Sequence, residues 1–231
     1  MGQPQIIVLP GLDGDVDLRA PLQAALSKIA PCQVIGYPRD IADYGDMQSH
    51  VAPLLPAGDF ILIAESYGGP LAVMLAARGL PGLKGIVFVV TFAHQPRYAP
   101  QAIVPALGWL PKPGRLAMRA ILWLGGGWRA KSSAIAAMTE VGLRLPGETT
   151  SGRLKAVMSV DVRRELAALN VPMVYLQAAS DQSVPRRAAD DFVAAGAELI
   201  RLPGTHYLLE ETPDRAAAVL HDPIQRMLAT L

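Results

Sequence analysis

Ile61-Leu62-Ile63-Ala64-Glu65-Ser66-Tyr67-Gly68-Gly69-Pro70 changes character within a few residues. A short apolar run stops at a polar pair, and an Ala/Leu/Met pattern starts directly after it. That reads as strand, sharp turn and helix in immediate succession. Such a turn holds its central residue in a strained backbone conformation that lifts a short side chain above the sheet edge. It also brings strand and helix close together, so the residues two before and two after must be small. Ala64 and Gly68 meet this condition, and Pro70 falls in the first helical turn, where a missing N–H costs nothing. Ser66 is therefore a nucleophile candidate, with the positive end of the helix near any oxyanion that develops. The plainer alternative is a Ser capping an ordinary helix. An Ala-x-Ser-x-Gly match alone is weak, so the rest of the chain has to weigh in.

Outward from this turn, apolar runs alternate with helical patterns. The runs are Gln5–Leu9, Gln33–Gly36, Phe60–Ala64, Ile86–Thr91, Met173–Gln177 and Glu198–Leu202. They are near-continuously hydrophobic, as strands covered on both faces should be. Helical spacing is found at Leu18–Ile29, Asp46–Leu55, Tyr67–Arg78, Arg163–Leu169, Arg186–Ala195 and Pro213–Leu228. The pattern predicts an α/β fold, a doubly wound and mostly parallel six-stranded sheet. Residues 94–160 break the rhythm: Pro and Gly crowd Pro96 to Gly114, and helical stretches follow at Leu116–Leu124 and Ser132–Val141. The expectation is a core of residues 1–93 and 161–231 with a helical lid inserted at 94–160.

The other strand ends carry polar residues in a telling order. Leu9-Pro10-Gly11-Leu12-Asp13-Gly14 follows the first strand, and Gly11 leaves the Leu12 amide free to turn toward Ser66. Together with the Tyr67 amide it is a candidate oxyanion hole, although a plain connecting loop is an equal reading. Asp13, Asp15 and Asp17 alternate as in a calcium loop. The required Gly and Glu are replaced by Leu18 and Ala24, so calcium is rejected and Asp17 is expected to cap a helix. Asp181 follows the fifth strand and His206 the sixth. Nucleophile, acid and base thus occur in one chain order, each beyond a strand's carboxyl end. Asp161, Asp190 and Asp191 lie on or beside helices, and His50 and His221 fall in helix patterns. His94, at the start of the insertion, is a candidate substrate contact or a solvated cap.

Composition bounds the rest. With 51% hydrophobic and 18% charged residues, the 231-residue chain can bury a large core. The single cysteine, Cys32, excludes an internal disulfide and reads as a buried strand-end thiol. The N-terminus lacks a secretory pattern, and the most apolar segment, Ala117–Trp128, is too short to span a bilayer. A cytoplasmic protein is expected. Net charge is only +1, yet residues 94–160 carry +7 and the remainder −6. The basic segment either solvates an apolar insertion, recruits an acidic partner, or meets anionic lipid. Nucleic acid has no motif to support it. All three tryptophans lie in the insertion, and Trp109, Trp123 and Leu122 are candidates to line an apolar substrate pocket, if they are not the insertion's own core.

These residues resemble the α/β-hydrolase superfamily over essentially the whole chain. The Leu-Pro-Gly-Leu-Asp-Gly run is similar to a subgroup of small bacterial hydrolases and to the hydrolase-like part of plant phytyl ester synthases. The resemblance implies a Ser66–His206–Asp181 triad that cleaves carboxylic esters through an acyl-enzyme. It implies no metal or organic cofactor, and the chain shows no Cys/His cluster, P-loop or dinucleotide fingerprint. Pro10 stands where the family often has His, Ala64 where Gly is commoner, and a trimmed six-stranded sheet without the family's usual first two strands is expected. An acyltransferase, a thioesterase or a methyl esterase acting on a carrier protein would use the same triad. A non-catalytic hydrolase-like binding protein is the rival from another class.

Overall fold

The computed structural model describes residues 3–96, 113–126 and 129–229. Its strands are β1 (Gln5–Leu9), β2 (Cys32–Val34), β3 (Phe60–Glu65), β4 (Leu83–Val89), β5 (Met173–Ala178) and β6 (Glu198–Leu202). They form one six-stranded sheet in the order β2-β1-β3-β4-β5-β6. Every neighbouring pair is parallel.

The period of two along each strand sorts the core into two layers. Ile7, Leu9, Leu62 and Ala64 face helices α2 (Tyr44–Val51) and α3 (Gly68–Ala76), while Ile6, Val8, Ile61 and Ile63 face α1 (Ala20–Leu26) and the C-terminal helix, Pro213–Ala229. Both layers are sealed: β3 is buried at every position. Each Ile or Leu so enclosed contributes about 1.5–3 kcal/mol, which is why runs apolar on both faces make central strands. Chain order reverses at β1, which has β2 on one side and β3 on the other. The carboxyl ends of β1 and β3 flank this switch point, where sheets of this kind bind ligands.

Local departures from the sequence reading have physical causes. β4 stops at Val89 because Val90 takes a left-handed φ of 43°. The first helix is shorter than the periodicity suggests, since Asp17–Arg19 forms a 3-10 turn ahead of α1. Asp17 does not cap it: the carboxylate of Asp15 accepts the Leu18 N–H at 3.0 Å instead.

Beyond β4 come α4 (Arg115–Gly126), α5 (Ser132–Arg144) and α6 (Gly147–Ser159), then α7 (Arg163–Ala167) before β5. The sequence pattern misses α6, whose Gly147, Thr149, Thr150 and Gly152 are poor helix formers. Tertiary contacts hold it, chiefly the fully buried Arg153. The two ends of this stretch meet: Gln95 donates to the Val160 carbonyl at 3.0 Å and Val162 to the Ala93 carbonyl at 2.8 Å. Helix α8 (Ala188–Ala194) precedes β6, the short α9 (Leu208–Glu211) follows it, and α10 is the C-terminal helix. No helix among the described residues is long and apolar enough to cross a membrane.

Candidate active site

The turn after β3 is as tight as its small residues require. Ser66 has φ 47°, a left-handed value uncommon outside glycine, and its N–H donates to the Val89 carbonyl at 3.0 Å. A Cβ on Gly68 would lie 2.7 Å from the Leu9 carbonyl oxygen, and one on Gly69 would lie 2.0 Å from Thr91 Oγ1. Thr91 occupies that space to donate its hydroxyl to the Ser66 carbonyl at 2.5 Å. The need for glycine at 69 as well as 68 is legible only once Thr91 is seen beside it.

Three loops converge on Ser66. Its Oγ is 3.1 Å from His206 Nε2, and His206 Nδ1 is 3.0 Å from Asp181 Oδ2. Asp181 sits three residues past β5, where its other oxygen accepts the Ser183 and Val184 amides, both at 2.8 Å. Those bonds fix the carboxylate and leave one oxygen for the imidazole. His206 follows β6, in a loop tied down by Glu211, which accepts the Thr205 hydroxyl at 3.0 Å and the Thr205 amide at 3.2 Å. Burial alone would lower the His206 pKa; Asp181 outweighs it, helped by Glu65, so the imidazole lies above its ordinary 6.5.

The turn after β1 lies beside this line of side chains. No hydrogen bond to another described residue is made by the Leu12 or the Tyr67 amide. The turn itself is clamped from behind. Tyr37 donates its hydroxyl to the Pro10 carbonyl at 3.0 Å, and Arg153 donates to the Leu12 carbonyl at 2.7 Å. Arg153 also reaches the Pro38 and Ile41 carbonyls and stands 5.6 Å and 6.0 Å from the Tyr37 and Tyr67 ring centroids.

A family model described as the alpha/beta hydrolase family matches residues 6–219. The chain belongs to that family. The family member resembles an enol-lactonase from Burkholderia xenovorans at 20% identity and a TM-score of 0.82, covering 96% of this chain and 91% of that one. It also resembles a thermophilic esterase from Thermogutta terrifontis at 17% identity and a TM-score of 0.81, covering 99% and 92%. A hydrolase from Pseudomonas aeruginosa matches at 19% identity and a TM-score of 0.79, covering 99% and 91%. No curated protein matches the sequence. At these identities the neighbours speak for the fold.

The remaining candidates fare differently. Trp109 lies outside the described residues. Trp123 is 46% exposed on α4. Leu122 is half-buried; it packs with Ala134, Ile135 and Tyr207, and its carbonyl accepts the Tyr207 hydroxyl at 2.8 Å. Since Tyr207 follows His206, α4 abuts the histidine loop. His94 is held by Asp191 at 2.7 Å. The Cys32 thiol is pushed up to about 12 by burial, which leaves it protonated and inert.

Part of the insertion's positive charge is engaged within the molecule. Arg115 pairs with Glu140 and Arg144 with Asp15, the Lys131 ammonium donates to the Glu211 carbonyl while its backbone N–H donates to the Glu211 carboxylate, and Arg153 is buried. Asp15 belongs to the acidic remainder, so the Arg144–Asp15 pair is internal complementarity between the two. A groove of about 660 Å³, lined by Leu80, Pro81, Leu83, Arg164 and Val171 among others, sits at the amino-terminal edge of the sheet. It shares no residue with the Ser66 site.

Proposed function

We propose that the protein is a serine esterase in which Ser66, His206 and Asp181 act as nucleophile, base and acid. The observation that carries this reading is the unbroken line from Ser66 Oγ through both imidazole nitrogens to Asp181. Ser66 attacks the ester carbonyl carbon as His206 Nε2 takes its proton, while Asp181 stabilises the imidazolium. The Leu12 and Tyr67 amides receive the oxyanion. His206 then gives its proton to the leaving alcohol, and water, activated by the same imidazole, releases the acid and frees Ser66.

Structural neighbours named as an esterase and an enol-lactonase favour a carboxylic ester, open or cyclic, as the substrate class. The apolar side chains of α4 support an apolar acyl or alkyl group under a helical lid. A carrier-protein partner finds no such support, because Arg115, Lys131, Arg144 and Arg153 of the insertion are engaged within the molecule.

The test is a chain-length series of p-nitrophenyl esters with wild type and Ser66→Ala. Loss of about 10⁴-fold or more in kcat is expected in the variant. Turnover surviving in Ser66→Ala would overturn the assignment. Catalysis needs neutral His206 and its pKa is raised, so the acid limb of kcat/KM should lie above pH 6.5. A limb below that value would count against His206 as the base.

A further inference from the structure

Beside the triad lies a buried charge cluster that the proposed reaction leaves unused. Arg19 Nε and Nη2 donate to the two oxygens of Glu65 at 2.8–3.0 Å, and Nη1 donates to Asp13 at 2.6 Å. A third carboxyl, Glu210, stands 3.2 Å from Nη2, with no hydrogen bond at either oxygen. Side-chain exposure is 1% for Arg19, 11% for Asp13, 5% for Glu65 and 4% for Glu210.

The three acids stand next to three of the segments that make the site. Asp13 follows Leu12, Glu65 precedes Ser66, and Glu210 lies on α9 just past His206. We propose that Arg19 is a positioning residue that holds the oxyanion turn, the nucleophile turn and the histidine loop in register, with Glu210 present as a neutral carboxylic acid whose ionisation loosens that hold.

The charge count requires such a proton. Three carboxylates around one guanidinium would leave two uncompensated negative charges out of reach of water, which is costly. Arg19 spends its donors on Asp13 and Glu65, so the group without a donor is the one that keeps its proton. Burial first, then Glu65 and Asp13, raise the Glu210 carboxyl to about 8 against the opposing pull of Arg19. The charged and titratable groups around it are Arg19, Asp13 and Glu65 across the cluster, with His206 and Tyr207 from its own loop. Its neighbour Glu211 is turned to Thr205 and Lys131. Once Glu210 ionises, it repels Glu65 across a buried gap and adds negative charge near the oxyanion that must form.

This inference rests on the esterase reading for its kinetic arm alone. Wild-type kcat should fall about tenfold between pH 7 and 9.5, with a midpoint near 8. In Glu210→Gln, a neutral mimic of the acid form, that fall should vanish. Arg19→Lys keeps the charge but loses the fork, so kcat should drop about 10- to 100-fold with KM changed less than about threefold. An alkaline fall identical in wild type and Glu210→Gln, or an Arg19→Lys effect confined to KM, would overturn the proposal. The thermal arm needs no catalysis. From pH 6 to 9, Tm should fall at least about 3 °C further in wild type than in Glu210→Gln, and equal falls would overturn the proton assignment. If no protein shows Ser66-dependent turnover, the esterase reading fails while the thermal comparison still decides Glu210.

Discussion

Among the described residues two arginines are buried, at 1% exposure for Arg19 and none for Arg153, and their surroundings differ in kind. Arg19 sits among carboxyl groups, and Arg153 among backbone carbonyls and the faces of tyrosine rings. Burial pulls both pKa values down. Around Arg19 the acids more than reverse the effect; around Arg153 burial prevails. Formal charge and oriented dipoles both shelter a guanidinium, but only the first ties its hold to protons. Arg19 links loops within the core, whereas Arg153 links the insertion to the turn after β1.

The comparison can be pressed by substitution, with urea unfolding as the readout. Arg19→Met should cost most, about 3–5 kcal/mol, because it strands buried carboxyls that had a partner. Its cost should grow as pH rises, since the stranded acids hold protons in the folded state that the unfolded chain releases. Arg153→Met should cost about 2 kcal/mol, as buried carbonyls lose charged donors, and that cost should not change with pH. A pH-dependent Arg153→Met or a pH-independent Arg19→Met would break the distinction. Tyr37→Phe removes the bond to the Pro10 carbonyl but keeps the ring over Arg153, so about 1 kcal/mol is expected. Arg144→Ala deletes the half-exposed Arg144–Asp15 pair between insertion and core, and should change stability by less than about 0.5 kcal/mol.

Strands, chain order and the positions of Ser66, Asp181 and His206 were legible because buried parallel strands read as apolar runs and the polar residues follow their ends. The period that marks them comes from backbone geometry, which needs no knowledge of neighbours. The arginine sites were not legible for the opposite reason. Arg19 opens what reads as an ordinary amphipathic helix, and Arg153 lies in a Gly- and Thr-rich stretch with weak helical propensity. Charged residues default to the surface, and only a partner brought from elsewhere in the chain reverses that. Glu65 was the available signal. An acid closing a wholly apolar run cannot be buried alone, so it demands a cation the sequence does not identify. The helix-cap reading of Asp17 erred by the same route, since capping fell to Asp15 two residues earlier.

The paired ends of the insertion, at Ala93–Gln95 and Val160–Val162, make it a detachable cassette. A chain that leaves and returns through the same two rungs can be exchanged for a longer or shorter one without re-threading the sheet. Arg153 sets the terms of exchange, because it is carried in by the cassette yet supports the Leu12 carbonyl of the core. A transplanted segment that lacks a guanidinium there would fit the socket and leave the turn after β1 unbraced.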